Sequence, residues 1–352
     1  MKKVLLLNQG NTNNIGDLAI NSVLTKILEK ENIDYDFLDY WVEDKIFGKL
    51  YINRGNNLFY KFILKIIFHF QILLDIYYIC YLKRNINLNN YDSIVIGGGE
   101  LLCGHKGFNT AIYNITNVSR KKNIQLYLIG VSGDLRMPQK RIKRYSKSLT
   151  KFKKIFVRDE YTKKILNDVY KVESTLYPDV VFSYNKVFGE KRFLNKENSI
   201  LLVPTYFNKE SFKNMNIHNE EQFVDYYMKI IFEEMNRYDK LYITNTAIED
   251  EKITKKIIRR LQKENLNFEY IKYESLDDYF KLICKTKKII SGRMHAMIMG
   301  CICGNDFRVI PFKEKLINFE NDYRKVDMQY IEELSYNSVL RLCECLRGED
   351  NE

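Results

Sequence analysis

The sequence predicts an α/β protein of two domains, each a parallel sheet flanked by helices. Three observations lead there. The chain has 352 residues, more than a single core usually serves. Short apolar runs alternate with helix-length stretches from one end to the other. Several of those runs stop at turns built from Gly, Ser or Asn, as buried parallel strands do where they hand over to a helix.

In the first half, strands are expected at residues 4–7, 93–96, 125–129 and 154–157. Helices are expected at 17–30, 58–82, 109–122 and 141–150, with another at 159–168 directly after a strand. An irregular polar stretch rich in Lys, Asn and Gly then reads as a linker, so the first domain covers 1–185 and the linker 186–198. The second domain, 199–326, resumes the alternation. Its strands are expected at 200–203, 240–244, 268–271, 288–290 and 308–311, and its helices at 223–237, 250–264, 276–284 and 295–301. The remainder, 327–352, is expected to form a helical tail able to pack back on the first domain.

Apolar residues make up 45% of the chain, too many for a disordered protein. The formal net charge of +11 allows nucleic acid, an anionic membrane or a phosphorylated substrate as partner. Lys and Arg are interleaved with Asp and Glu, and no zinc-finger, helix-turn-helix or RNP pattern accompanies them, so no nucleic acid is expected. A solvated basic surface explains the charge equally well. The seven cysteines include the C-x-C pairs Cys301/Cys303 and Cys343/Cys345, not the repeated C-x-x-C of a structural zinc site. Reduced thiols in a cytoplasmic protein are expected, and no metal. The run from Val4 to Leu7 is too short for a signal peptide and is broken at once by Asn8-Gln9-Gly10. The segment from Leu58 to Leu82 carries Lys61, Lys65, His69 and Asp75, so a span of about 20 apolar residues is not available. It reads as an amphipathic helix, packed on the protein's own core or resting peripherally on the inner face of a membrane.

Four constellations could carry chemistry. In the first, a loop from Asn8 through Asn11 and Asn14 to Gly16 and Asp17 joins the first strand to the first helix. Glycine permits the tight turn, Asn tolerates left-handed backbone, and Asp17 can cap the helix. Free amides at a helix start favour an anion or sugar hydroxyls. The loop lacks both G-x-G-x-x-G and a P-loop, and a plain strand-to-helix turn is as good a reading. The second constellation is Gly97-Gly98-Gly99-Glu100, which follows a buried strand and is expected to expose amides at the ligand-binding edge of the sheet. His105, shortly beyond, either shares that cleft or is a solvent-exposed loop histidine.

The third is Arg158-Asp159-Glu160, where Arg158 either faces an anion or pairs with Asp159 or Glu160. Pro178-Asp179 ends the first half in similar fashion. The fourth is Ser291-Gly292-Arg293-Met294-His295, at a strand-to-helix junction of the second domain. Arg suits bidentate carboxylate or phosphate recognition, and His is the side chain best suited to deliver a proton near neutral pH. Lys315 follows another strand.

Taken in order, these pieces resemble the polysaccharide pyruvyl transferase family. They are Asn14-Ile15-Gly16-Asp17 with Ala19-Ile20, Gly97-Gly98-Gly99, Gly130-Val131, Arg158-Asp159, Pro178-Asp179, Gly292-Arg293-Met294-His295-Ala296 and Lys315. The chain departs from the family at Gly130-Val131-Ser132-Gly133-Asp134, where members commonly show a Gly-x-Gly-x-Gly-Pro-like segment. The resemblance implies two Rossmann-like domains in a GT-B-like fold, with the active site in the interdomain cleft. It further implies transfer of a pyruvyl group from phosphoenolpyruvate to two hydroxyls of a sugar, forming a cyclic ketal and releasing phosphate. Phosphoenolpyruvate is then a co-substrate and no cofactor is needed. The acceptor is a sugar of a surface polysaccharide or of its lipid-linked precursor.

On that reading His295 is the acid, with Arg293 as its catalytic companion. Arg158 and Lys315 join Arg293 at the donor's anionic groups, alongside Gly97, Gly98, Gly99, Ser291 and Gly292. Asn11, Asn14, Gly16, Asp17, Glu100 and His105 belong to the acceptor or cleft loops. Two alternatives stand beside it: a GT-B glycosyltransferase using a nucleotide sugar, and a non-catalytic partner in an envelope assembly.

Overall fold

The computed structural model describes residues 3–10, 12–41, 66–189 and 195–349. The chain opens with β1 (Lys3–Asn8), α1 (Ile15–Lys30), β2 (Tyr35–Asp39) and α2 (Gln71–Asn85). Next come β3 (Tyr91–Ile96), β4 (Gly99–Leu102), α3 (Lys106–Arg120), β5 (Gln125–Gly133) and α4 (Gln139–Leu149). β6 (Lys154–Val157), α5 (Glu160–Ile165), β7 (Thr175–Leu176) and α6 (Tyr184–Phe188) follow. The second series runs β8 (Glu197–Val203), α7 (Glu220–Met235), β9 (Lys240–Ile243), α8 (Glu251–Lys263) and β10 (Glu269–Tyr270). It continues through α9 (Leu276–Lys285), β11 (Thr286–Ser291), α10 (Met294–Ile302), β12 (Asp306–Val309), α11 (Glu314–Tyr323) and α12 (Met328–Arg347).

The strands form two parallel sheets. The first has the order β2-β1-β3-β5-β6-β7, with β4 pairing β5. The second has the order β10-β9-β8-β11-β12. Strands covered on both faces must be apolar throughout, and Leu5, Leu6, Leu7, Leu201, Leu202 and Val203 are all fully buried. In each sheet one strand has its successors on opposite sides: β1 lies between β2 and β3, and β8 between β9 and β11. Such switch points open a crevice at the carboxyl ends of the strands.

Residues group into two compact units, Met1–Asn11, Leu24–Val180 and Asn337–Glu352 in one, Thr12–Val23 and Val181–Tyr336 in the other. The core of the first unit includes Tyr40, Trp41, Tyr78, Tyr145 and Leu149. Tyrosine hydroxyls join its elements from within: Tyr40 donates to Phe108 O at 2.8 Å, Tyr78 to Tyr40 O at 2.9 Å and Tyr81 to Asp39 O at 3.0 Å. The end of α12 belongs here too, through Tyr127 Oη to Cys345 O at 3.3 Å and an Arg347–Glu31 ion pair at 3.0 Å. The core of the second unit includes Phe212, Phe223, Tyr227 and Ile290.

The structure departs from the sequence expectations at several places. The boundary falls at Val180, earlier than 185, and residues 12–23 group with the second unit. The stretch expected as a linker over 186–198 is occupied at its start by α6, which Gly189 closes with φ 71°, and at its end by β8. Residues 190–194 lie outside the described residues. The helix expected at 58–82 is described only from its second half, where α2 runs on to Asn85. The tail is one helix, α12, whose last part packs in the first unit. The expectation of reduced thiols is overturned at Cys284 and Cys303, which form a disulfide with Cα atoms 5.1 Å apart. They close α9 and the turn after α10, neighbours in space that no sequence motif links.

Candidate active site

The second sheet's switch point is assembled around Ser291, the last residue of β11. Its hydroxyl donates to Val203 O of β8 at 3.0 Å and accepts from the Arg293 amide at 2.8 Å, tying two strand ends to the turn between β11 and α10. Gly292 is required by crowding. A β-carbon there would lie 2.8 Å from the Phe312 ring and 2.9 Å from the Thr205 methyl, so the loops after β8 and β12 close on it only because it has none.

Arg293 immediately precedes α10, at its N-cap position, without a capping hydrogen bond from its side chain. Its guanidinium is held by acids from the loop after β9. Nε donates to Asp250 Oδ2 at 2.9 Å, and Nη2 donates to Asp250 Oδ1 and to Glu249 Oε1 at 3.2 Å. Asp250 is fully buried and also accepts from the Tyr206 amide at 2.8 Å, while the Tyr206 ring lies 5.4 Å from the guanidinium carbon. Burial pushes the Asp250 carboxyl above its usual range, and the neighbouring Arg293 opposes that shift. Arg293 is thus a fixed guanidinium compensated by two carboxylates, not the open fork expected from sequence. Asp250 and Glu249 engage Nε and Nη2, and not Nη1.

His295 lies in the first turn of α10 and packs on the start of α1. A β-carbon at Gly16 would sit 2.1 Å from His295 Nδ1, so the imidazole occupies the space that the missing side chain leaves. That start is built by its own loop. Asn14 Oδ1 accepts from the Gly16 amide at 3.0 Å, the Asn14 amide donates to Thr12 Oγ1 at 3.0 Å, and the Ile15 amide donates to Thr246 O at 3.1 Å. Asn14 therefore caps α1, where the sequence suggested Asp17. Asp17 lies in the first turn of α1 and accepts from Thr12 Oγ1 at 3.4 Å. Two helix starts, each carrying a partial positive charge, meet at His295. Such a place attracts anions. Lys315 lies in the first turn of α11, half-buried. Asn11 is outside the described residues.

The remaining sequence-selected residues lie in the first unit. Gly97, Gly98 and Gly99 are buried, not exposed. The Gly97 amide donates to Leu7 O at 3.1 Å, and a β-carbon on it would meet Asn8 and Leu24 at 2.9 Å. Gly99 begins β4 with φ 104°, a conformation open mainly to glycine. Arg158 is buried and pairs with Asp179 at 2.6 Å, and it donates to Ser132 Oγ at 2.9 Å. Two motifs read separately in the sequence are thus one buried ion pair. Asp159 instead caps α5 through the Thr162 amide at 2.7 Å. His105 caps α3, accepting from the Phe108 amide at 3.3 Å, and Glu100 follows Gly99 in β4. Among the described residues no group of three or more His, Cys, Asp or Glu side chains is placed to hold a metal ion.

Asp250 and Tyr206 are the site residues that sequence reasoning missed. Asp250 carries one signal, an acid at a helix start, which is common and uninformative by itself.

Two parallel sheets with polar loops at each switch point place the chain among α/β proteins of the GT-B type. S. aureus MnaA in complex with UDP shares the fold with a TM-score of 0.59 at 10% identity, over 100% of this chain and 98% of that one. The UDP-GlcNAc 2-epimerase from Neisseria meningitidis bound to UDP-GlcNAc gives 0.55 at 12% identity, over 98% and 100%. That from Methanocaldococcus jannaschii gives 0.50 at 15% identity, over 93% and 94%. By sequence the chain belongs to the polysaccharide pyruvyl transferase family, which it matches over residues 14–311. No curated protein matches it by sequence.

Proposed function

We propose that this chain transfers the pyruvyl group of phosphoenolpyruvate to two hydroxyls of a sugar, forming a cyclic ketal on a surface polysaccharide or its precursor. Membership of the transferase family supports an enzyme. The observation that carries the finer reading is His295, set beside the fixed charge of Arg293 and against the start of α1. The donor is an enol phosphate that also bears a carboxylate, and the two helix starts with Lys315 offer it positive potential while the paired Arg293 fixes the turn.

In the proposed sequence His295 protonates the methylene carbon of the donor, leaving an oxocarbenium-like centre at the adjacent carbon. The first acceptor hydroxyl adds there and loses its proton, with Asp17 our candidate to take it. The carbon–oxygen bond to phosphate then breaks, the developing charge stabilised by the positive ends of the two helices. Phosphate departs with one proton, and the second hydroxyl adds to the oxocarbenium-like carbon so formed and loses its own. One proton enters the methyl group, two leave the hydroxyls, and one departs with phosphate. No metal is required, so turnover persists after chelation. The test is phosphate release from phosphoenolpyruvate with a panel of free and lipid-linked sugars. Release by the wild type that falls at least a hundredfold in His295→Ala supports the acid role (general acid catalysis typically contributes about 10²–10⁴). Full turnover in the variant, or hydrolysis of nucleotide sugars in place of phosphoenolpyruvate, contradicts it.

A further inference from the structure

A cavity of about 360 Å³ opens in the second unit at the carboxyl ends of β9 and β10, under the loop that leads into α1. Ligands of open parallel sheets bind at that edge, and the volume lies within the range of about 300–1,000 Å³ typical of small-molecule sites. Tyr270 and Tyr273 supply aromatic surface, Asn13 and Asn245 supply amides, and Lys272 and Glu274 stand among the lining residues. Asn245 is held in place, its Oδ1 accepting from Thr254 Oγ1 at 2.5 Å and its Nδ2 reaching Tyr270 Oη at 3.4 Å. Tyr273 is braced by Tyr279, ring centroids 4.9 Å apart.

The lining suits one chemical class. Among the described residues the lining contains no arginine, and its single lysine, Lys272, shares the cavity with two carboxylates, Glu274 and Glu251, the latter also paired with Lys255 at 2.7 Å. A diphosphate would find no bidentate partner and two repelling charges. A neutral sugar ring presents an apolar C–H face and a rim of hydroxyls, matching tyrosine faces with fixed amides and carboxylates around them. The cavity also adjoins the proposed acid: Ile15 lines it, and the next residue, Gly16, carries the His295 ring.

We propose that this cavity is a subsite for a neutral sugar unit of the acceptor, rejecting nucleotides and acidic sugars. The proposal rests on the pyruvyl-transfer reading for the identity of its occupant. The experiment is saturation-transfer NMR of the full chain with methyl glycosides of glucose, galactose, N-acetylglucosamine and N-acetylmannosamine, glucuronate and UDP. Phosphoenolpyruvate is titrated in parallel. Tyr273→Ala removes the aromatic face, Tyr273→Phe restores it, and exposed Asn13→Ala serves as a variant that does not touch the core. The expected result is binding of at least one neutral glycoside that weakens at least tenfold in Tyr273→Ala and severalfold in Asn13→Ala. Tyr273→Phe retains it, and phosphoenolpyruvate binding stays unchanged. A preference for UDP or glucuronate overturns the subsite, as does glycoside binding indifferent to these changes or no glycoside binding at all. Loss of phosphoenolpyruvate binding in the wild type contradicts the reaction, and not the cavity's selectivity.

Discussion

At Gly16 the absent side chain is filled by the imidazole of His295, so the helix position and the proposed acid constrain each other. Alanine normally favours a helix over glycine by about 1 kcal/mol. Here Gly16→Ala is expected to displace the His295 ring and cut phosphate release at least tenfold, while the melting temperature moves little; unchanged turnover contradicts the packing argument. The buried pair Arg158–Asp179 makes a different prediction. Removing either partner leaves an uncompensated buried charge, so Arg158→Ala is expected to destabilise by about 3–5 kcal/mol in urea titrations. Arg293 and His295 are legible in the sequence because they share one turn. Asp250 is not legible, since it reaches Arg293 from 43 residues away and only the fold brings it there. The same holds for Arg158 and Asp179, 21 residues apart and read as two motifs.

Among elements, β2 shows why parts of the first sheet escape sequence reading. Its run Tyr35-Asp36-Phe37-Leu38-Asp39 carries two acids and lies at the sheet edge, where charge guards against further pairing. Asp36 joins it to its neighbours, accepting from Tyr91 Oη at 2.7 Å and pairing with Lys3 at 2.8 Å. The Lys3 hydrogen bond, followed by that of Tyr91, holds the Asp36 carboxyl below its usual value. A lowered carboxyl stabilises the fold above its unfolded value near pH 4 and loses that contribution as pH falls through the lowered one. Asp36→Asn is therefore expected to be less stable than wild type at pH 7, with the two urea midpoints converging in acid; a constant gap across pH contradicts this. Helix α2 carries a second prediction. It buries Leu74, Tyr77, Tyr78, Tyr81 and Leu82 but exposes Ile72, Leu73 and Ile76. If that face meets a membrane, one of the two readings the sequence allows for this segment, the chain sediments with anionic vesicles and the double variant Ile72→Glu, Ile76→Glu does not. Wild type that stays in the supernatant leaves packing on the protein's own core as the reading.

For the whole molecule, the two parallel sheets were legible because a strand buried on both faces is apolar throughout and easily seen. What the periodicity left hidden is the grouping of residues 12–23 with the second unit, since consecutive residues are read as neighbours until the fold says otherwise. That grouping is what puts the Asn14–Gly16 turn beside His295. No helix among the described residues is long and apolar enough to cross a membrane. The fold is shared with proteins whose structures hold UDP or UDP-GlcNAc, so the donor must be settled by binding and not by architecture. Isothermal titration of phosphoenolpyruvate into wild type and His295→Asn, with and without the neutral glycosides and with UDP-GlcNAc as competitor, does so most directly. The account predicts saturable phosphoenolpyruvate binding, weakened in the variant and untouched by UDP-GlcNAc. Heat from UDP-GlcNAc with none from phosphoenolpyruvate under any of these conditions would contradict it.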